Sequence, residues 1–224
     1  RIIFEKTSSL LESNIIVAKQ SSKEITECIK KNILNNKANK FFFNEDYNFV
    51  IKENNFFYYE DKYGGIKIPK PSMRGQYQFE NASTAIASLR VLENLKIKNE
   101  NIINGIKKAY NSARLEEIKS GKLKNLVKNN MLIIDSSHNP GGSKSLNEYL
   151  QTLNCNKHVI VGMMENKDHE KFISYFKDIS SLTVIDIPNQ VNGISGRKLK
   201  EKFKSFSNLS FSENIEQALK ALQL

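Results

Sequence analysis

"LIIDSSHNPGGSKSLNEYL", residues 132–150, sets a short apolar run against an acid, two serines, a histidine and an Asn-Pro-Gly-Gly turn, then resumes with helical spacing. An apolar run this short, closed by Asp135, has the form of a buried strand. Asn139 as N-cap and Pro140 as first helical residue specify the start of a helix. A strand running directly into a helix is the unit of an open α/β sheet. Ligands bind such sheets at the carboxyl ends of strands, where helix N-termini present N–H groups and partial positive charge. Two readings of the corner stay open on these residues. It is a capped turn with a surface His138, or a phosphate-handling loop. In the second reading His138 donates to a phosphate or accepts a proton, and Asp135 takes a ribose hydroxyl or a metal-bound water.

The alternation extends outward from this corner. Strands are expected at 115–119, 123–127, 131–135, 159–161 and 182–187, and helices at 140–153, 168–176, 195–203 and 213–224. Apolar strands alternating with amphipathic helices predict a mostly parallel sheet covered on both faces. Upstream the pattern differs. Residues 13–20 read as a buried strand, and the helix after it carries Ile25, Cys28, Ile29 and Ile33 on one face. Aromatic and β-branched runs broken by Asn, Asp and Gly-Gly then predict two or three antiparallel strands, closed by Pro69 and Pro71. An amphipathic helix follows, with Phe79, Ala82, Ile86, Leu89 and either Val91 or Leu92 on its stripe, and a second helix begins near Asn99. The change of pattern puts a domain boundary near 111–113. No internal repeat is visible.

The 224 residues, 39% of them apolar, suffice for one large domain or two modest ones. No window is apolar over the length of a membrane span, and nothing at the start has the order of a signal peptide, so the cytoplasm and no membrane partner are expected. Cys28 and Cys155 lack metal-type or disulfide-type surroundings and read as reduced, buried small residues. The formal charge of +10 and pI of about 9.4 invite a nucleic-acid reading. The lysines are dispersed among Asn and Ile, so a solvated exterior suited to anionic small substrates is expected, and no nucleic-acid partner. The chain opens at Arg1 in an apolar run and stops at Leu224 within a helical pattern, which suggests a piece of a longer polypeptide.

Several other side chains carry possible chemistry. Arg114, at the proposed junction, is either a phosphate clamp or an interdomain ion pair. Gln78 and Asn81 share a helical face near its start, where amides read a purine or phosphate, or simply cap. Lys6 beside Glu5 reads as a solvated pair. Lys167 and Asp168, in the loop "VGMMENKDHE", border the same sheet edge as Asp135, although helix capping accounts for Asp168. His158 and His169 open a strand and a helix and are not expected to be catalytic.

Taken together, "ARLEEI", "LIIDSSHNPGG" and "VGMMENKD" resemble the carboxyl-terminal domain of folylpolyglutamate synthase/dihydrofolate synthase, in the Mur ligase superfamily. The family pattern is Pro-Gly-Arg, a strand ending Asp-x-x-His-Asn-Pro, then a Gly-Met loop with Lys-Asp. Asp135, His138, Asn139, Pro140, Gly162, Met163, Lys167 and Asp168 match it. "GQYQFENAS" is similar to the family's Gly-x-x-Gln-x-x-Asn-Ala, through Gly75, Gln78, Asn81 and Ala82. "EKTSSLLESNIIVAKQ" resembles the segment whose lysine is carbamylated, which would be Lys6.

The resemblance implies an α/β fold: residues 1–111 as the end of a P-loop ATPase domain, and 112–224 as a Rossmann-like ligase domain whose last strand and helix are missing. It implies ATP and magnesium as cofactors, folate or dihydropteroate and L-glutamate as substrates, and an acyl phosphate that the glutamate amine converts to an amide. Such chemistry rests on cations and fixed donors around the phosphoryl group more than on a nucleophilic side chain. Asn81, Arg114 and Asp135 would contact ATP, His138 would lie beside the phosphates as a catalytic residue, and carbamylated Lys6 would hold the metal. The complete enzyme is expected to be a monomer. Three departures stand out. Ser112-Ala113 replaces Pro-Gly, Thr7-Ser8 replaces Ala-Gly, and no Gly-rich loop ending Gly-Lys-Ser/Thr occurs, so these residues alone are expected to be inactive. The alternatives are a Mur-type ligase of cell-wall precursors and a non-catalytic basic α/β binding module.

Overall fold

The computed structural model describes every residue except 1, 9, 11–12, 53–55, 93 and 223–224. Parts of the Lys6 segment, of the aromatic strand run, of the helix expected beyond Arg90 and of the closing helix therefore lie outside the described residues. The chain divides into two units: Arg1–Ser72 with Tyr77–Tyr110, and Met73–Gln76 with Asn111–Leu224.

The first unit holds α1 (Ile2–Thr7), β1 (Ile15–Val17), α2 (Lys23–Asn32), β2 (Lys40–Phe42), β3 (Tyr47–Lys52), β4 (Phe56–Asp61), β5 (Ile66–Pro69), α3 (Tyr77–Arg90) and α4 (Asn99–Lys108). β1 and β2 pair in parallel, Ile15 opposite Lys40, with α2 as their crossover. Ile33 just beyond α2 is buried with Ile15, Val17 and Phe42, and Ile29 packs beside them. Cys28 and Cys155 are unpaired as expected, but both are exposed rather than buried. For Cys28 the reason is helical spacing: Ile25, Ile29 and Ile33 repeat every four residues, and residue 28 is rotated off that stripe.

β3, β4 and β5 form an antiparallel sheet. Alternation sends Phe57, Tyr59, Ile66 and Ile68 inward against Phe79, Ala82 and Ile86 of α3, and leaves Val50 and Tyr58 exposed. Gly64 at φ +99° makes the turn between β4 and β5. Val91 is buried and Leu92 exposed, which decides the end of the α3 stripe. At that end Arg90 pairs with Asp61 at 2.6 Å, with side chains only 11% and 7% exposed. It also donates to the Gly64 carbonyl and to Asn99 Oδ1, and lies over the Tyr59 ring. Tyr59 donates to the other Asp61 oxygen at 2.9 Å, and burial with that carboxylate beside it holds its phenol well above the ordinary range.

The second unit holds β6 (Glu116–Glu117), α5 (Lys122–Leu126), β7 (Ile133–Ile134), α6 (Pro140–Gln151), β8 (His158–Val161), α7 (His169–Ile173), β9 (Ser181–Ile185), α8 (Gly196–Lys202), β10 (Leu209–Ser212) and α9 (Ile215–Ala221). β8, β9 and β10 form a parallel sheet in the order β10-β9-β8, and β6 pairs antiparallel with β7. Leu182 and Val184 of β9 are buried with Phe172, Phe176, Leu199 and Phe203 from the covering helices and the residues that follow them. The α/β class holds, and in the second unit the pairing is mostly parallel as expected.

Two expectations are corrected here. Residues 123–127 are not a strand: Lys122–Leu126 is helical, because Leu123, Leu126 and Val127 are spaced three and four apart and Val127 is buried at the end of that turn. β10 was not expected, although Leu209-Ser210-Phe211-Ser212 has the period of two that marks a strand. No helix among the described residues is long and apolar enough to cross a membrane.

Candidate active site

The corner after β7 is built by local hydrogen bonds that the sequence order makes possible. Asn139, in extended conformation, accepts from Gly142 N at 2.9 Å, and Pro140 occupies the first helical position, so α6 begins where the sequence predicts. Asp135 Oδ1 accepts from Ser137 N at 2.8 Å and folds the Ser-Ser-His turn back on itself. A Cβ at Gly142 would lie 2.8 Å from Ser137 Oγ, so the close approach of turn to helix needs glycine. His138 is exposed. Its Nδ1 lies 2.9 Å from the Ser136 carbonyl, which can only accept, so Nδ1 is the donor in that bond.

The same carboxylate binds a second segment. Asp135 Oδ2 accepts from Leu115 N at 2.9 Å, Ser136 N donates to the Ala113 carbonyl at 2.8 Å, and Ala113 N donates to Glu116 Oε2 at 2.8 Å. Ala113 and Leu115 have φ of +54° and +50°. Left-handed backbone costs a non-glycine residue roughly 1–2 kcal/mol, and two such residues around one side chain persist only where neighbours hold them. Here the holders are Asp135, Glu116 and the burial of Leu115. Arg114 between them is exposed, and its guanidinium makes no hydrogen bond or ion pair among the described residues. Ala113 thus adopts left-handed backbone with a methyl group in place.

The Gly-Met loop leaves β8 at the carboxyl edge of the sheet. Met163 is buried, its carbonyl accepts from Ile194 N at 3.0 Å, and a Cβ at Gly162 would meet Ile187 at 2.8 Å. Asp168 caps α7 by accepting from Lys171 N at 3.1 Å, the simpler of its two readings, and Lys167 is half-buried. His169 is buried with Nε2 2.9 Å from the Met164 carbonyl, a structural tie. His158 bonds Ser181 Oγ at 2.8 Å. Asp186, which the sequence reading passed over, follows β9 directly, and its Oδ1 accepts from Gly196 N at 2.7 Å at the start of α8. Its signal was an acid at the end of an apolar strand, the same signal that singled out Asp135.

Arg114, Asp135 and His138 thus meet in one corner of the second unit. Asn81 and Lys6 belong to the first. Asn81 is exposed and donates Nδ2 to Oε1 of the buried Gln78 at 3.1 Å. Lys6 lies on α1, exposed, with Glu5 at 3.9 Å. The described residues contain no group of three or more His, Cys, Asp or Glu side chains placed to hold a metal.

Among solved structures, the fold is similar to E. coli FolC in complex with DHPP and ADP, at 21% identity and TM-score 0.80, covering 99% of this chain and 50% of that one. It is similar to Mycobacterium tuberculosis folylpolyglutamate synthase complexed with ADP and AMPPCP, at 16% identity and TM-score 0.79, covering 99% and 52%. A bifunctional folylpolyglutamate synthase/dihydrofolate synthase with Mn, AMPPNP and L-glutamate bound matches at 20% identity and TM-score 0.79, covering 99% and 50%. The chain spans about half the length of these proteins, and at such identities the likeness establishes the fold. No curated protein sequence matches. Residues 114–224 match the family described as Mur ligase, glutamate ligase domain. The match starts at Arg114 and takes in Asp135, His138 and the Gly-Met loop, so the second unit of this chain is similar over nearly its whole length to the glutamate ligase domain of Mur ligases.

Proposed function

We infer that the chain is part of an ATP-dependent carboxylate–amine ligase that joins L-glutamate to a folate or dihydropteroate carboxylate. The observation that carries the reading is Arg114: an exposed guanidinium with no hydrogen bond or ion pair among the described residues, next to Leu115, which is held by Asp135 ahead of a helix whose first turn has no acid. A fixed fork of donors beside a helix N-terminus suits a nucleotide's phosphates. The solved relatives are described with ADP, DHPP, AMPPNP and L-glutamate, which supports the same class of ligands here.

Bound ATP would supply the phosphoryl group that turns the carboxylate into an acyl phosphate, with ADP leaving; the glutamate amine would then attack the acyl carbon and release inorganic phosphate, which leaves the amide. In this chain Arg114 binds and orients the phosphates, and Asp135 holds the backbone of the adjoining Leu115 while keeping lone pairs for a ribose hydroxyl. His138 is exposed and held through Nδ1, which leaves its other ring nitrogen for a phosphate or a proton. Magnesium fits these residues less well. Lys6, even carbamylated, is a single ligand on an exposed helix, and the described residues bring no cluster of His, Cys, Asp or Glu to complete a metal site.

The complete enzyme is read as a cytoplasmic monomer. The 224 residues alone should not turn over, because they contain no Gly-Lys-Ser/Thr phosphate loop. Folate- and glutamate-dependent ATP hydrolysis by this chain would sink that statement. The main test is Arg114→Ala in the complete protein. Turnover with folate and glutamate should fall on the order of a hundredfold, as when a fixed donor to a developing charge is lost. Near-normal turnover rejects Arg114 as a phosphate contact, and activity confined to a cell-wall precursor makes the parent a Mur-type enzyme.

A further inference from the structure

Among the described residues, β10 is the outer strand of the parallel sheet, paired on one side only. The Asn208 carbonyl accepts from Leu182 N at 2.9 Å, so in a parallel ladder the backbone groups of residues 208, 210 and 212 face β9. Those of Leu209 and Phe211 therefore face outward, a donor and an acceptor on each. α8 lies beside this edge. It buries Leu199, with Phe203 just beyond it, and turns its charged residues to solvent. Five cations, Arg197, Lys198, Lys200, Lys202 and Lys204, stand within eight residues against the single acid Glu201, the densest basic run of the chain. The Arg197 guanidinium lies over the Phe211 ring, 5.0 Å from its centre. Arg197, Lys198 and Lys200 line a groove of about 720 Å³ along Leu209, Ser210 and Phe211.

We propose that this edge is a docking site for an acidic, extended polypeptide segment, which adds a strand to β10 and sets its carboxylates against Arg197, Lys198 and Lys200. The two parts of the site select the occupant together. Outward N–H and C=O groups at every second residue match another extended backbone and have no counterpart in a phosphodiester chain. The cations then choose the sign of the side chains. A basic rim is also the usual guard against edge-to-edge self-association, and a second copy of a chain carrying +10 is repelled by the rim that attracts an acidic strand.

The test uses the 224-residue chain and a fluorescein-labelled short peptide of alternating Glu and Val, followed by anisotropy. A Lys/Val peptide and a single-stranded DNA oligonucleotide serve as comparisons. The Glu/Val peptide should bind with salt-sensitive affinity, and the Lys/Val peptide should not. Arg197→Glu with Lys200→Glu should weaken binding about tenfold or more. Leu209→Pro removes one outward N–H at the first position of the strand, where proline is tolerated, and should weaken binding several-fold with the circular dichroism spectrum unchanged. In the wild-type chain, peptide should slow amide hydrogen exchange at Leu209 and Phe211, a readout that does not depend on any variant folding. Absence of peptide binding, or binding without protection of those two amides, overturns the proposal. Binding of the oligonucleotide alone overturns it in favour of a nucleic-acid surface.

Discussion

Arg90 and Arg114 carry the same side chain and end in opposite circumstances. Arg90, in the first unit, is nearly buried, and its donors are taken up by Asp61, the Gly64 carbonyl and Asn99 with the Tyr59 ring beneath. Arg114, in the second, is exposed, and what is held is the backbone on either side of it, Leu115 by Asp135 and Ala113 by Glu116. A guanidinium whose donors are used up inside the fold is a structural post. One whose neighbouring backbone is clamped while its side chain stays unpaired is available to a ligand, because the backbone part of the ordering cost has been met before the ligand arrives.

Substitutions can break that contrast, beginning with the largest effect. Arg90→Ala leaves Asp61 buried without its partner and should lower stability by about 3–5 kcal/mol in urea denaturation. A loss below about 1 kcal/mol would place Arg90 with ordinary surface ion pairs. Arg114→Ala in the same assay should stay within about 0.5 kcal/mol of wild type, since no contact in the fold is lost. A large loss would make Arg114 a second structural post and remove the basis of its assignment.

Asp135→Asn sharpens the contrast from the other side. The amide can accept at one oxygen only, so either Leu115 N or Ser137 N loses its partner, at a cost of about 1–3 kcal/mol. Amide exchange at those two residues should quicken while Arg90's surroundings remain protected; unchanged exchange would detach Asp135 from Arg114. Ala113→Gly relieves the left-handed strain but adds freedom to the unfolded chain, so a gain of at most about 1 kcal/mol is expected. A clear loss of stability would mean that the methyl group is held by favourable packing.

The smallest effect concerns the exposed tie between α5 and α9. Glu216 accepts from Lys122 and Lys220, and these two cations lower its carboxyl from 4.5 to about 2. A lowered folded-state value stabilises above the unfolded value and is lost as pH falls through the folded one. Glu216→Gln should therefore match wild type near pH 2 and be slightly less stable above pH 4.5. Equal stability at both ends would show that the ion pairs contribute nothing.

How far the sequence alone reached varies from element to element. The start of α6 was legible because Asn139, Pro140 and Gly142 interact within four residues. The parallel order of the second unit was legible in its alternation of apolar strands and amphipathic helices. Helix α5 was misread because Leu123, Leu126 and Val127 fit two periods over so short a run, and burial of Val127 decided between them. Asp135 and His138 could be picked out as chemistry at a strand end. That Asp135 spends an oxygen on Leu115, twenty residues upstream, could not. Sequence determined the caps, turns and periodicities, because those depend on residues a few positions apart. Only the tertiary structure decided which arginine is consumed and which is presented, because the partners that settle it, Asp61 for one and Asp135 for the other, arrive from distant parts of the chain.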